Sequence, residues 1–314
     1  MLKKKCINIA IALFYSAFAH NDLAAQSEFK ETVHDLRLSY GTVKRFHAQS
    51  QYIESRNIDV WFPDDFSVDK RYAVLYMHDG QNLFDAGKVW NSKEWQIDET
   101  LEKLNNTNSL EDFIVVGIWH NGNKRHSEYF PQKAVDYIAE PQHSKLLSLL
   151  PESGLQADNY LKFIVLDLKP FIDSRFPTFV ECEKTFIGGS SMGALISLYA
   201  ICEYPQIFGG AACLSSHWIG TFDNNAEIPA GFNEYLIRNL PSPENHKIYF
   251  DHGTLGLDAN YPEYQQIIDL TMQKQFYDKK SWKTVEFKSD DHNEIYWAKR
   301  FYVPLLFLLE KKFN

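Results

Sequence analysis

The sequence is short of cysteine and of positive charge. Its 314 residues include 4 Cys, and 32 Lys and Arg stand against 41 Asp and Glu, for a net charge of -9. That balance leaves no basic surface to neutralise a phosphate backbone, so nucleic acid is excluded as a partner. There is no His-Glu-x-x-His string and no cluster of Cys and His at ligand spacing, so no metal or other cofactor is expected. There is also no repeat of fixed period and no low-complexity tract, which removes solenoids and propellers. The apolar run Cys6 to Ala19 is shorter than a membrane span requires, so no stable membrane insertion is expected. No Cys follows that run, so a lipid anchor has no acceptor. Cys182, Cys202 and Cys213 are odd in number and read as small buried thiols, with one disulfide as the alternative.

The N-terminal segment has the layout of an export signal. Met1 to Lys5 are basic, the apolar run follows, and Ala17-Phe18-Ala19 and Leu23-Ala24-Ala25 are both small-residue cleavage sites. Residues 1–25 therefore read as a signal peptide cut after 19 or 25, and the product as periplasmic or extracellular. The remaining 26–314, in a chain 45% hydrophobic and 15% aromatic, suit a single large domain.

Thr42 to Gln51 and Ile53 to Phe62 alternate as the two strands of a hairpin. Beyond them, apolar strands at 72–77, 113–119, 185–188, 209–214, 247–251 and 284–288 interleave with helical stretches at 95–104, 158–174, 194–203, 261–277 and 293–312. This alternation predicts an α/β fold: a mostly parallel central sheet, helices on both faces and an antiparallel N-terminal edge. Active residues then belong at the carboxyl ends of the strands. Residues 121–156 form a connection too long for an ordinary loop and read as a lid or a pocket wall.

Gly189-Ser190-Ser191-Met192-Gly193 matches G-x-S-x-G, with the strand Lys184 to Ile187 before it and the apolar helix from Ala194 after it. That context is the strand-turn-helix of an α/β-hydrolase nucleophile elbow, which makes Ser191 the candidate nucleophile and leaves Ser190 a structural role. A serine hydroxyl needs a base, and the base an acid, in the chain order Ser, acid, His. Among His217, His246, His252 and His292, the last lies in the polar loop Ser289 to Glu294 where the base belongs, and His252 is the alternative. Asp258 is the preferred acid from the glycine-bearing loop after Asp251. Asp251 reads as a brace, and Asp290 and Asp291 as solvated. The oxyanion hole would combine the amides of Met192 and Gln81, Gly80 permitting the turn that aims the latter. The pair His78-Asp79 precedes the nucleophile and reads as loop-fixing. Trp119, with other aromatics near strand ends, would stack on a sugar or phenolic ring.

Val74 to Phe84, Arg125 through Pro131, Phe171-Ile172-Asp173, Gly188 to Gly193, Leu214 to Trp218 and His292-Asn293-Glu294 run in the order seen in one group. On these stretches, covering nearly the whole of 42–314, the sequence resembles the esterase family of α/β hydrolases that includes esterase D, feruloyl esterases, enterochelin esterases and mycolyltransferases. The resemblance implies a triad of Ser191, Asp258 and His292, a hole from Gln81 and Met192, metal independence, and Trp218 in the substrate pocket. Some members have a displaced carboxylate, so the resemblance leaves the acid least fixed. The expected activity is serine carboxylic ester hydrolysis, on small-molecule or polysaccharide-linked acetyl or feruloyl esters. Siderophore esters and acyl transfer by the same residues are the alternatives, and a non-catalytic binding module is a third.

Overall fold

The computed structural model describes residues 27–89, 91–105, 109–221 and 223–311. The signal-peptide reading of 1–25 falls outside them. Nine strands form one sheet: β1 (Glu28–Thr32), β2 (Thr42–Gln49), β3 (Arg56–Phe62), β4 (Ala73–His78), β5 (Phe113–Ile118), β6 (Thr185–Ser190), β7 (Gly210–Leu214), β8 (Lys247–His252) and β9 (Trp282–Glu286). Their order is β1-β2-β3-β5-β4-β6-β7-β8-β9. The pairings β1/β2, β2/β3 and β3/β5 are antiparallel, and all others are parallel. This is the expected α/β class with its antiparallel N-terminal edge.

The central strands are apolar along their whole length because helices cover both faces. In β4, Val74 and Tyr76 join one core cluster while Ala73, Leu75 and Met77 join the other, the period-two split of a strand buried on both sides. The first cluster packs under the helices Met192–Glu203 and Glu227–Asn239, the second under Glu294–Arg300 and Tyr302–Leu309. Register aligns Met77 with Gly188 and Ser190 with Leu214, so the carboxyl ends of β4, β6 and β7 meet at one edge of the sheet.

Several boundaries differ from expectation. The hairpin turn is longer, with Ala48 opposite Arg56, so β3 starts three residues later than the alternation suggests. The predicted C-terminal helix is broken between Arg300 and Tyr302. Pro304 has no N–H to offer the carbonyl of Arg300 and clashes with it, which ends the first segment there. The helix Glu227–Asn239 was not anticipated; Pro229 sits in its first turn, where its missing N–H costs nothing. The three cysteines among the described residues are free, Cys202 and Cys213 buried and Cys182 half-buried.

Residues 121–156 fold as short helices, including Arg125–Tyr129 and Gln142–Leu149. Their anchor is Glu128, which takes two bonds from Arg56 at 2.6 and 2.9 Å with both side chains 2% exposed. Removing one partner strands a buried charge, so Glu128→Ala lowers stability by about 3–5 kcal/mol. An unfolding free energy from urea titration within about 0.5 kcal/mol of wild type would mean that solvent reaches Arg56.

Candidate active site

Ser191 caps the helix Met192–Glu203 at the end of β6, with φ 58 and ψ -121. Its N–H donates to the carbonyl of Leu214 at 2.9 Å, which holds the turn against β7. A non-glycine residue at positive φ is strained, and the strain is sustained by packing on either side. A Cβ on Gly189 would sit 3.1 Å from the Gly193 backbone, so the elbow closes only with small residues there. Ser191 lines a cleft of about 890 Å³ together with Ser190, Met192 and His292.

His292 and Asp258 meet in the wall of that cleft. His292 Nδ1 and Asp258 Oδ1 are 2.6 Å apart, with the carboxylate fully buried and the imidazole side chain 12% exposed. A carboxylate only accepts, so Nδ1 carries the proton and Nε2 of the neutral ring keeps its lone pair. The ring packs edge-on against Trp297 and Tyr261 at 5.1 and 5.8 Å. Burial works to raise the Asp258 pKa, but bonds from His292, Ser215 and Gly253 outweigh it and leave the carboxyl below its ordinary value.

The competing residues are placed elsewhere. His252 is buried, its Nδ1 turned to the Gly253 carbonyl at 2.8 Å, and it does not line the cleft. His246 bonds the carbonyls of Ser242 and Pro205 at the far end of β8. His217 does line the cleft, bonded to Tyr261 Oη at 2.7 Å; burial, then the neighbouring His292, push its pKa down to about 3. Asp251 is a brace, with burial pushing it up to about 6 beside Arg300. Asp290 and Asp291 are not simply solvated. The first pairs with Arg300 at 3.1 Å, and the second accepts the His292 N–H at 2.7 Å.

Met192 opens a helix, so its N–H has no acceptor within that helix, and the residue lines the cleft. Gln81 belongs to the loop after β4, whose cleft-lining members are Asp79 and Asn82. Its side-chain oxygen accepts the His120 N–H at 3.2 Å, which pins the loop. The left-handed residue there is Asp79, with φ 58, rather than Gly80. Gly80 is required for a different reason: a Cβ would lie 2.5 Å from the Gly117 carbonyl carbon of β5.

The structure does not bring Trp119 or Trp218 into the cleft. The Trp119 indole donates to Asp59 at 2.9 Å beneath the Arg45 guanidinium. Trp218 is 1% exposed and bonded to Gln265 at 3.1 Å, packed on Phe232 and Phe250. Among the described residues, the indoles that line the cleft are Trp95 and Trp297, with ring centroids 5.5 Å apart. The sequence reading also missed Arg125 as a site residue, although it lies in a matched stretch. Arg125 reaches from the 121–156 segment to grip Asp79 with two bonds of 2.7 Å, stacks on Tyr129 and stays 27% exposed in the cleft. His78 beside it is buried and bonded to Tyr160, and burial pushes its pKa down to about 3, so it is a neutral strut.

Comparison with known proteins places this geometry in a family. The Esterase model, described as "Putative esterase", matches residues 50–308. The uncharacterized protein YjcH of Bacillus subtilis (strain 168) is 24% identical over 269 residues, 82% of this chain and 93% of its own. YbbA of the same organism is 27% identical over 175 residues, 55% of this chain and 60% of its own. Among solved structures, the enterobactin esterase FES from Shigella flexneri superposes with TM-score 0.63 at 16% identity, covering 87% of this chain; the chain spans 60% of that protein's length. The feruloyl esterase module from Clostridium thermocellum complexed with sinapinate gives TM-score 0.61 at 16% identity, covering 91% of this chain and 99% of the module. At those identities the structural likeness shows the α/β-hydrolase fold alone. The family match carries further: the chain belongs to the Esterase family and is an ester hydrolase.

Proposed function

We propose that the protein cleaves carboxylic esters through an acyl-enzyme on Ser191. The observation that carries this reading is the 2.6 Å His292–Asp258 bond in the wall of the cleft that the strained Ser191 lines. Nε2 of His292 takes the hydroxyl proton as Ser191 attacks the ester carbonyl, and the amides of Met192 and Gln81 receive the oxyanion. The proton then passes to the leaving alcohol, and water, activated by the same imidazole, releases the acid. A fluorophosphonate probe is expected to label Ser191 and to miss Ser191→Ala; an unlabelled wild-type protein would sink the mechanism.

The substrate we favour is an acetyl or feruloyl ester of a carbohydrate. Support comes from the polar wall of Asn91, Asn123 and Arg125, backed by the largely buried indoles of Trp95 and Trp297, which suits a ring bearing hydroxyls. Rates on acetylated sugars, feruloylated sugars and catecholate esters, each with and without a sugar acceptor, separate this from siderophore hydrolysis and from acyl transfer. The export layout of residues 1–25 puts the activity outside the cytoplasm in this reading. N-terminal sequencing of protein recovered there should begin at His20 or Gln26.

A further inference from the structure

We propose that Ser215 and Arg300 are positioning residues for ester hydrolysis, holding the Asp258 carboxylate in the orientation that His292 requires. The proposal rests on the acyl-enzyme reading above.

Ser215 follows β7, is fully buried and has φ 44, a second strained serine at the carboxyl edge of the sheet. Its Oγ is 2.7 Å from Arg300 Nη2 and 3.0 Å from Trp297 Nε1. Both of those groups can only donate, so they occupy the two acceptor positions of the hydroxyl. Its single hydrogen is thereby committed to the third neighbour, Asp258 Oδ2, at 2.7 Å. The Gly253 N–H also donates to Oδ2, at 2.6 Å, while Oδ1 faces His292. The carboxylate is thus fixed by three donors, one of them oriented by the helix Glu294–Arg300. Trp297 and Arg300 stand three apart on that helix, on one face, directly after the loop that carries His292. The segment that delivers the base therefore also sets the acid.

Arg300 supplies charge as well as geometry. It is 1% exposed and lies 3.0 Å from Asp251, 3.1 Å from Asp290 and 3.7 Å from Asp258. The titratable and charged groups around Asp258 are His292, Arg300, Asp251 and the Tyr261 phenol. Asp290 and Asp291 stand behind Arg300 and His292, and His217 faces His292. Within this set, loss of either donor to Ser215 or of the Ser215 hydroxyl makes the carboxylate easier to protonate.

The test is the pH profile of 4-nitrophenyl acetate hydrolysis by the full chain. Ser215→Ala is expected to lower kcat about tenfold with little change in KM. The acid limb of kcat/KM, set by protonation of the base, should rise by about half a pH unit, because a carboxylate that has lost a hydrogen bond attracts the imidazolium more strongly. Ser215→Gly, which suits the positive φ, gives the same shift with an unstrained backbone. Arg300→Lys should keep the acid limb closer to wild type than Arg300→Met does. Fluorophosphonate labelling of the wild type separates the two layers of argument. If Ser191 is not labelled, the acyl-enzyme reading fails and this proposal with it. If Ser191 is labelled but both Ser215 variants keep the wild-type acid limb, this proposal alone fails, even where activity falls with the amount of folded protein.

Discussion

Ser191→Ala is expected to lower kcat by about 10⁵-fold or more while leaving the fold intact. The hydroxyl is the only atom removed, and its backbone conformation is imposed from outside by the Leu214 carbonyl and the Gly189–Gly193 approach. The residual rate comes from the cleft and the oxyanion donors alone. Ser191→Gly makes the complementary point. Positive φ costs a side-chain-bearing residue about 1–3 kcal/mol, and glycine in turn loses about 0.5–1 kcal/mol through chain entropy. The net gain of about 1 kcal/mol should appear as a higher urea midpoint in an inactive protein. A destabilised Ser191→Gly would show that the φ of 58 is not a strained state, and an active Ser191→Ala would move the nucleophile elsewhere, Ser190 being next in line.

Asp258→Asn is expected to lower kcat about 10⁴-fold, and the reason lies in which donors surround the carboxylate. Oδ2 faces two, Ser215 Oγ and the Gly253 N–H; Oδ1 faces one, His292 Nδ1. An amide keeps its oxygen on the side with two donors and turns its NH2 toward the imidazole. His292 then has to present a lone pair at Nδ1 and carry its proton on Nε2, the nitrogen that should receive the proton of Ser191. The loss should fall in kcat, with the unfolding midpoint much less affected. Asp258→Asn at near-wild-type rate would shift the role of acid to a neighbouring carboxylate, and Asp251 and Asp290 could then be tested in the same assay.

Local chemistry carried far in the sequence. The glycine frame around Ser191 and the polar loop of His292 are short-range signals, and the continuous apolar strands told a two-faced sheet from a one-faced one. What escaped depends on distant partners. Arg125 and Asp79 are 46 residues apart, and Arg300 reaches Ser215 across 85. Neither pairing leaves a periodic trace. The two tryptophans expected at the cleft failed for a related reason. Their positions near strand ends are visible in the sequence, but whether an indole turns to the cleft or toward Asp59 or Gln265 depends on a hydrogen-bond acceptor supplied from elsewhere.

The sheet is open, with an unclosed strand at each border. Among the described strands, the bordering ones are β1 and β9, each five residues long, with sequences EFKET and WKTVE. Unpaired N–H and C=O groups along a border strand invite a second molecule to add a strand of its own, the route to fibrous or amorphous association. Here each border is brief and carries charge within its run: Glu28, Lys30 and Glu31 on one, Lys283 and Glu286 on the other. The apolar strands able to propagate such pairing, β4 through β8, all lie inside. Neutralising one border, for instance with Lys30→Val and Glu31→Val together, would leave the cleft around Ser191 untouched and is expected to raise self-association as concentration rises, read by light scattering.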